Sequence, residues 1–319
     1  MSKVKNCISS YMKRDGNRNV VLLIAFMAVQ ILFFSQVTEY FLGISNFVNL
    51  MRQTAELGMV TIPLAMLILT GNIDLSVGAV MGVCAISLAR MLRAGMNIGL
   101  SILITLCIGA LMGCINGFFV AKLHLAGIVA TIGTQVMLRG ACFILTGGRP
   151  VSGLPKEFLD VAKWNLFGIP FTFILMIAAF VIAIFIMQRT SFGIKLHAIG
   201  YNAKASKFSG IQSDKLKFWL YVLSGTVAAI AATFMLTRFA SAESAFGTGY
   251  DTDVLTSVLI GGMSIAGGSG NLLGALLGVL TIGTLRNGMN HLEISALYQQ
   301  MVLGALIVIS AAKWRKYKA

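Results

Sequence analysis

The sequence predicts an all-α, polytopic membrane protein, and three observations carry that expectation. Hydrophobic residues make up 57% of the 319 residues and charged residues only 11%, whereas a soluble domain averages about 25% charged. The apolar residues gather into segments of roughly 20, the length that crosses a bilayer as a helix. Glycine is abundant at 34 and proline scarce at 4, and glycine within apolar spans lets helices approach closely.

About ten spans are read from these segments, at 19–35, 54–70, 75–91, 98–121, 127–146, 168–188, 217–238, 252–266, 271–289 and 296–312. They form a single transmembrane domain over 1–319. The one long polar interval in the body of the chain is 189–217, with six basic residues (Arg189, Lys195, Lys204, Lys207, Lys215, Lys217) opposed only by Asp214. Basic loops stay on the cytoplasmic side, so this interval fixes the inner face. Counting outward from it, sixteen Lys and Arg fall inside, the terminal clusters (Lys3, Lys5, Lys13, Arg14, Arg18; Lys313, Arg315, Lys316, Lys318) and Lys122 included. Eight fall outside: Arg52, Arg90, Arg93, Arg149, Lys156, Lys163, Arg238 and Arg286. The acids run the other way, with Asp15, Asp74 and Asp214 inside and the other eight outside, Glu56 and Asp253 among them. Both termini are therefore expected in the cytoplasm.

The net charge of +14 does not point to nucleic acid, because the basic residues sit in short interruptions between apolar spans. Among the five cysteines (Cys7, Cys84, Cys107, Cys114, Cys142) there is no Cys-x-x-Cys pair, and four lie in apolar spans as small hydrophobes. Neither a disulfide framework nor a metal site is implied. The basic start is followed by a span without a small-residue cleavage site, unlike a signal peptide.

Two outer loops, 146–167 and 241–253, carry mixed charges that could receive a partner or simply face solvent. Two spans share a small-residue ridge, Gly109-x-x-x-Gly113-x-x-x-Gly117 and Gly270-x-x-x-Gly274-x-x-x-Gly278, suited to close helix packing. Asp74 lies eight residues before Gly82 and Asp253 eight before Gly261, a hint of the inverted repeats common in transporters.

The sharpest local feature is Gly71-Asn72-Ile73-Asp74-Leu75-Ser76-Val77-Gly78, which sets Asn72, Asp74 and Ser76 between two apolar spans. Asp74 or Ser76 can cap a helix start by accepting from free backbone amides. A broken helix carrying polar groups can also line a pathway. Arg139 is the one basic residue placed within a span. It is a functional candidate because a charge there is costly, though it can also snorkel or bond helix-end carbonyls. Asn116 and Asn287, each followed by glycine, hydrogen-bond between helices or face a pore. Gly267-Gly268-Ser269-Gly270 has the look of a nucleophile turn, with His291 further on. The expected topology puts Ser269 and His291 on opposite sides, so no catalytic residue is assigned. No P-loop and no His-Glu-x-x-His is present. Deep acidic residues are expected to be absent from the spans, which leaves ion-coupled transport without its usual carriers.

At these residues the chain resembles the membrane permease subunits of bacterial ABC importers for ribose, xylose, related sugars and autoinducer-2. Four stretches carry the resemblance in order: 71–78; 128–134 with Arg139-Gly140, including Thr131; 200–211; and 261–270. Asn72 stands where many members have a second glycine. The resemblance implies a fold like the vitamin B12 importer (type II), working as a dimer of permeases, a homodimer or a pair of paralogues, in the bacterial inner membrane. It implies two ATPase subunits inside, holding ATP and Mg that this chain does not bind, and a sugar-binding protein outside. It places Gly200, Asn202, Ala203, Ala205, Gly210 and Ile211 against the ATPase. Within that stretch the residues themselves suggest a short helix whose apolar edge runs Ala205, Phe208, Ile211, with Gly210 at its end. Asn72, Asp74, Ser76, Asn116, Thr131, Arg139 and Asn287 are the pathway or gating candidates. An ion-coupled secondary sugar transporter and a structural membrane protein are the competing classes.

Overall fold

The computed structural model describes residues 15–315, and the side chains of 19–310. Cys7, Lys3, Lys5, Lys13, Arg14, Lys316 and Lys318 lie outside the described residues, as do the side chains of Arg18, Lys313 and Arg315. The readings of the terminal charge clusters and of the N-terminus fall there.

The described residues form thirteen α-helices: α1 (Asp15–Val37), α2 (Ile44–Leu69), α3 (Val77–Arg93), α4 (Ile98–Gly117), α5 (Gly127–Thr146), α6 (Lys156–Asp160), α7 (Phe171–Arg189), α8 (Ser191–Tyr201), α9 (Ala203–Phe208), α10 (Ser213–Phe239), α11 (Tyr250–Ile260), α12 (Leu272–His291) and α13 (Ala296–Arg315). One π-helical turn, Phe118–Lys122, prolongs α4, and a small antiparallel hairpin, β1 (Asn165–Leu166) with β2 (Ile169–Pro170), precedes α7. Among the described residues, six helices (α1, α4, α5, α7, α10 and α12) are long and apolar enough to cross a membrane.

Two expected spans are corrected. The segment expected at 252–266 is helical only over Tyr250–Ile260, 11 residues, or about 16 Å of helix against a hydrocarbon core of about 30 Å. Gly262 then takes a left-handed φ of 90°, and the glycine-rich stretch behind it turns the chain instead of extending the helix. The segment expected at 54–70 begins at Ile44. Its first turns carry Asn46, Asn49, Arg52 and Gln53 and so fall below the apolar pattern, although they are helical.

α2 and α3 form the centre, and α1, α5 and α7 lie at the periphery. Every residue from Thr54 to Leu69 is buried, and α3 is buried along most of its length, as expected of helices that are apolar all round. α10 packs on α2, α3 and α4. By contrast α1, α5 and α7 leave Leu32, Val129, Val136 and Phe185 on an exposed apolar surface, the composition of a lipid-facing layer. Both glycine ridges are used. Gly109 and Gly113 of α4 lie against the backbone of α10 at Gly225 and Tyr221, and Gly274 and Gly278 of α12 against α11 at Gly261 and Ser257. A Cβ at any of these positions would collide with backbone, which is why the helices need glycine there.

The two mixed-charge loops are tied to each other. Val151 and Ala242, both buried, exchange backbone hydrogen bonds of 2.8 and 3.0 Å in an isolated antiparallel bridge. The polar interval 189–217 is folded too. Thr190 caps α8 by accepting from the Phe192 amide at 3.2 Å, and Asn202 caps α9 by accepting from the Ala205 amide at 2.9 Å.

Candidate functional site

The break between α2 and α3 starts with a Schellman turn. Gly71 has φ 75°, its amide donates to the Ile68 carbonyl, and the Asn72 amide donates to the Leu67 carbonyl, satisfying the last carbonyls of α2. The chain then runs without regular structure to Ser76. Asp74 is buried here and bonds in three directions. Its Oδ1 accepts from the Ser76 amide at 3.0 Å and the Ser76 hydroxyl at 2.6 Å, and its Oδ2 from the Ser224 hydroxyl of α10 at 2.8 Å. Ser76 Oγ in turn accepts from Asn116 of α4 at 2.7 Å, and Asn116 Oδ1 accepts from Thr134 of α5 at 2.8 Å. Thr131 of α5 accepts from the Leu75 amide at 3.1 Å, and the Tyr221 hydroxyl donates to the Ile73 carbonyl at 3.2 Å. One non-helical strip of backbone is thus bolted to α4, α5 and α10 by groups that satisfy one another. Asp74 reaches no cation among the described residues.

Of the expected residues, Asp74, Ser76, Asn116 and Thr131 meet in this network. Asn72 is adjacent but bonds back to the Thr70 carbonyl and hydroxyl at 3.2 and 3.1 Å. The capping expectation is corrected in detail: Asp74 takes the amide of the N-cap residue Ser76, and Ser76 itself makes no side-chain cap. Ser224, Thr134 and Tyr221 were not foreseen. Ser224 precedes Gly225, the close-contact glycine of α10, and that pairing was the one available signal.

Arg139 stands apart from the network. Its Nη1 donates to the Phe246 carbonyl at 2.7 Å, across the glycine face of α3 at Gly78 and Gly82. Asn287 stands apart as well, in a reciprocal carboxamide pair with Asn46 of α2 at 2.8 and 2.9 Å. That pair lies in a cleft of about 560 Å³ between the N-terminal turns of α2 and the C-terminal turns of α12. A second cavity of about 290 Å³ shares Gln53 and Asn290 with it and continues toward Arg238, Tyr250, Asp253 and Arg286.

The expectation that deep acidic residues are absent is overturned. Glu56 sits mid-way along α2, buried, and takes Arg238 on both oxygens at 2.9 and 2.7 Å with the Tyr250 hydroxyl at 3.1 Å. Buried Asp253 takes Arg286 at 2.6 Å. Arg139 is accordingly not the only basic residue within a helix. Glu56 had been counted outside because the polar start of α2 hides its helix. Both carboxylates are occupied by arginine, as a charge removed from water requires.

Ser269 and His291 lie at opposite ends of α12, about 30 Å apart by helix rise, and His291 packs edge-on to Phe41 at 6.3 Å.

In the 200–211 stretch the expected single helix is two. Gly200 ends α8 against the Leu69 carbonyl and the Gly268 backbone, with no room for a side chain. The Gly268 amide donates to the Leu69 carbonyl at 2.9 Å, and His197 Nδ1 donates to the Gly268 carbonyl at 2.9 Å. α9 follows, and Gly210, with φ 81°, ends it in a second Schellman turn, the Ile211 amide donating to the Ser206 carbonyl at 3.0 Å. Ala203, Ala205 and Phe208 are exposed, whereas Ile211, beyond the glycine, leaves the predicted edge.

The bundle thus has a polar break at its centre, two buried ion pairs, and a short exposed helix, α9. The model of the family described as branched-chain amino acid transport system / permease component matches residues 46–311. The chain belongs to that family. Among curated members, the ribose import permease protein RbsC of Bacillus subtilis (strain 168) is 37% identical over 281 residues, 88% of this chain and 87% of that one. The ribose import permease protein RbsC of Haemophilus influenzae is 34% identical over 298 residues, 92% of this chain and 91% of that one. The autoinducer 2 import system permease protein LsrD of Photorhabdus luminescens is 32% identical over 294 residues, 90% of this chain and 88% of that one. No solved structure matches this permease.

Proposed function

We propose that this chain is the membrane permease subunit of an ATP-binding cassette importer for a monosaccharide such as ribose, a related sugar or autoinducer-2. The observation that carries the reading is identity of 32–37% with ribose import permeases along nearly the whole chain. Hydrolysis of ATP, with its Mg, belongs to separate ATPase subunits. A sugar-binding protein delivers the solute from outside, and a second permease completes the pathway. The fold is vitamin B12 importer-like in this reading, with α2, α3 and α13, and the short α11 together with the glycine-rich stretch behind it, joining the six long helices across the inner membrane and both termini inside. The basic interval 189–217 supports that orientation.

α9 is the ATPase-coupling element. Its exposed face carries Ala203, Ala205 and Phe208, the last 93% exposed, and Tyr201 at the end of α8 is 75% exposed. Aromatic anchors of this kind become the centre of an interface when a partner covers them. Movement of α9 would pass through Gly200 to the backbone of Leu69 and Gly268, and so to the turn that carries Asp74.

Reconstitution tests the reading. Proteoliposomes holding this permease with its ATPase and binding protein should take up labelled D-ribose only with ATP, and Ala205→Glu should abolish ATPase recruitment while the permease remains inserted. Uptake driven by a proton or sodium gradient without the ATPase would make it a secondary transporter instead.

A further inference from the structure

The cleft between α2 and α12 is lined mainly by carboxamides, with the His291 imidazole at its edge. α2 presents Asn46, Asn49 and Gln53 at spacings of three and four residues, which puts them on one face of the helix. α12 brings Asn287 and Asn290 opposite, and Tyr40, 76% exposed, stands at the mouth. Among the described residues no Lys, Arg, Asp or Glu lines this cleft. We propose that it is a binding station for a neutral polyhydroxylated ligand, a monosaccharide ring, on its way through the permease. The proposal rests on the sugar-importer reading and adds the site and the ligand class.

The five carboxamides divide by role. Asn46 and Asn287 bond to each other, and Asn46 Nδ2 also donates to the Phe41 carbonyl at 2.8 Å. They form a fixed, buried back wall. Asn290 Oδ1 is taken by Gln299 at 2.8 Å, which leaves its Nδ2 as a donor. Asn49 and Gln53 are half-buried or exposed toward the cleft, and no side-chain hydrogen bond is made by either among the described residues. A carboxamide both donates and accepts, as a sugar hydroxyl does, so a row of them matches a polyol without selecting charge. An amino acid, by contrast, carries an ammonium and a carboxylate that lose their hydration on entry and need opposite charges, and this lining holds no carboxylate for the ammonium and only the His291 imidazole for the carboxylate. The charges of the second cavity, further along α2 and α12, are already matched, Arg238 to Glu56 and Arg286 to Asp253. At about 560 Å³ the cleft falls in the range of small-molecule sites, ~300–1,000 Å³, and the tyrosine ring offers an apolar face to a sugar's C–H side.

The test uses the assembled importer in membrane vesicles. In a background freed of reactive cysteines, Asn49→Cys is labelled with a membrane-impermeant maleimide, with and without millimolar D-ribose or L-leucine. D-Ribose should slow the labelling about tenfold and leucine should not, and Gln53→Ala should slow D-ribose uptake about tenfold, the scale of one lost hydrogen-bonding partner. Recovery of the assembled complex at wild-type yield checks folding, and Gln53→Asn should restore part of the rate. Import of D-ribose with no protection at Asn49→Cys and no effect of Gln53→Ala overturns the station and leaves the importer reading intact. Protection by leucine as well as D-ribose overturns the neutral-polyol assignment. Import of leucine and of no sugar overturns both.

Discussion

Helix α2 ends in polar residues on both sides, and the two ends differ in what those residues bond to. At the Leu69 end the chain breaks into Gly71–Ser76, and Asp74, Ser76, Asn116, Thr134 and Ser224 are buried and bonded to each other. At the Ile44 end, Asn46 and Asn287 pair, while Asn49 and Gln53 face a cleft. A buried polar group without a partner costs far more than a bonded one gains. The first arrangement can therefore hold helices in register, while the second costs little only because water or a ligand fills it. Polarity alone does not mark a pathway. Whether the groups are satisfied by the protein separates a bolt from a binding face.

The sharpest break of that contrast is Asp74→Leu. It strands the Ser76 amide and the Ser76 and Ser224 hydroxyls, and each buried unsatisfied group costs about 1–3 kcal/mol. The purified variant should melt far below wild type or fail to accumulate. Asp74→Asn keeps an acceptor for Ser76 and can donate to a rotated Ser224 hydroxyl, so it should stay close to wild type. A wild-type melting curve for the leucine variant would sink the view that this end is a bolt.

Next in size is Glu56→Gln, between the two ends. It leaves Arg238 facing a neutral amide. The loss should fall below the ~3–5 kcal/mol of a fully buried broken pair, because the Arg238 side chain keeps 22% of its exposure. Denaturant titration of the variant against wild type measures it. No change would mean that solvent in the second cavity carries the arginine.

How much of this was legible in the sequence follows from the same distinction. Local patterns were readable: the apolar segments, the break at Gly71, the glycine ridges, and Gly210 as the end of α9. These depend on neighbours a few residues away. The partners were not readable, because Asp74 and Ser224, or Glu56 and Arg238, meet through the fold across long stretches of chain. The start of α2 was hidden for a different reason. Averaging hydropathy over both faces of Ile44–Gln53 dilutes an apolar face with Asn46, Asn49 and Gln53, and so a helical cleft wall reads as a loop. The same effect put Glu56 outside.

Smaller still is the Asn46–Asn287 pair. A double-mutant cycle with Asn46→Ala and Asn287→Ala should give a coupling of about 0.6 kcal/mol and not above ~1.7, the range of interhelical hydrogen bonds in membranes. Thermal or denaturant unfolding of the two single variants and the double variant measures it. A coupling near zero would mean that each amide bonds water in the cleft, and that the back wall is as open as the front.

The smallest expected effect on stability is the most telling about function. Asn49 is exposed and makes no side-chain hydrogen bond among the described residues, so Asn49→Ala removes nothing the fold uses. Its unfolding free energy should stay within about 0.5 kcal/mol of wild type, as for surface substitutions away from special features. Uptake of D-ribose should nevertheless fall, because the lost group is one that faces the ligand. Asp74→Leu should show the reverse order, with stability failing first and transport following only from the loss of folded protein. Plotting uptake per folded permease against melting temperature for the two variants separates the ends of α2 directly. If Asn49→Ala lowers both quantities together, the Ile44 end is held by the protein as the Leu69 end is, and the distinction between bolt and binding face fails for this helix.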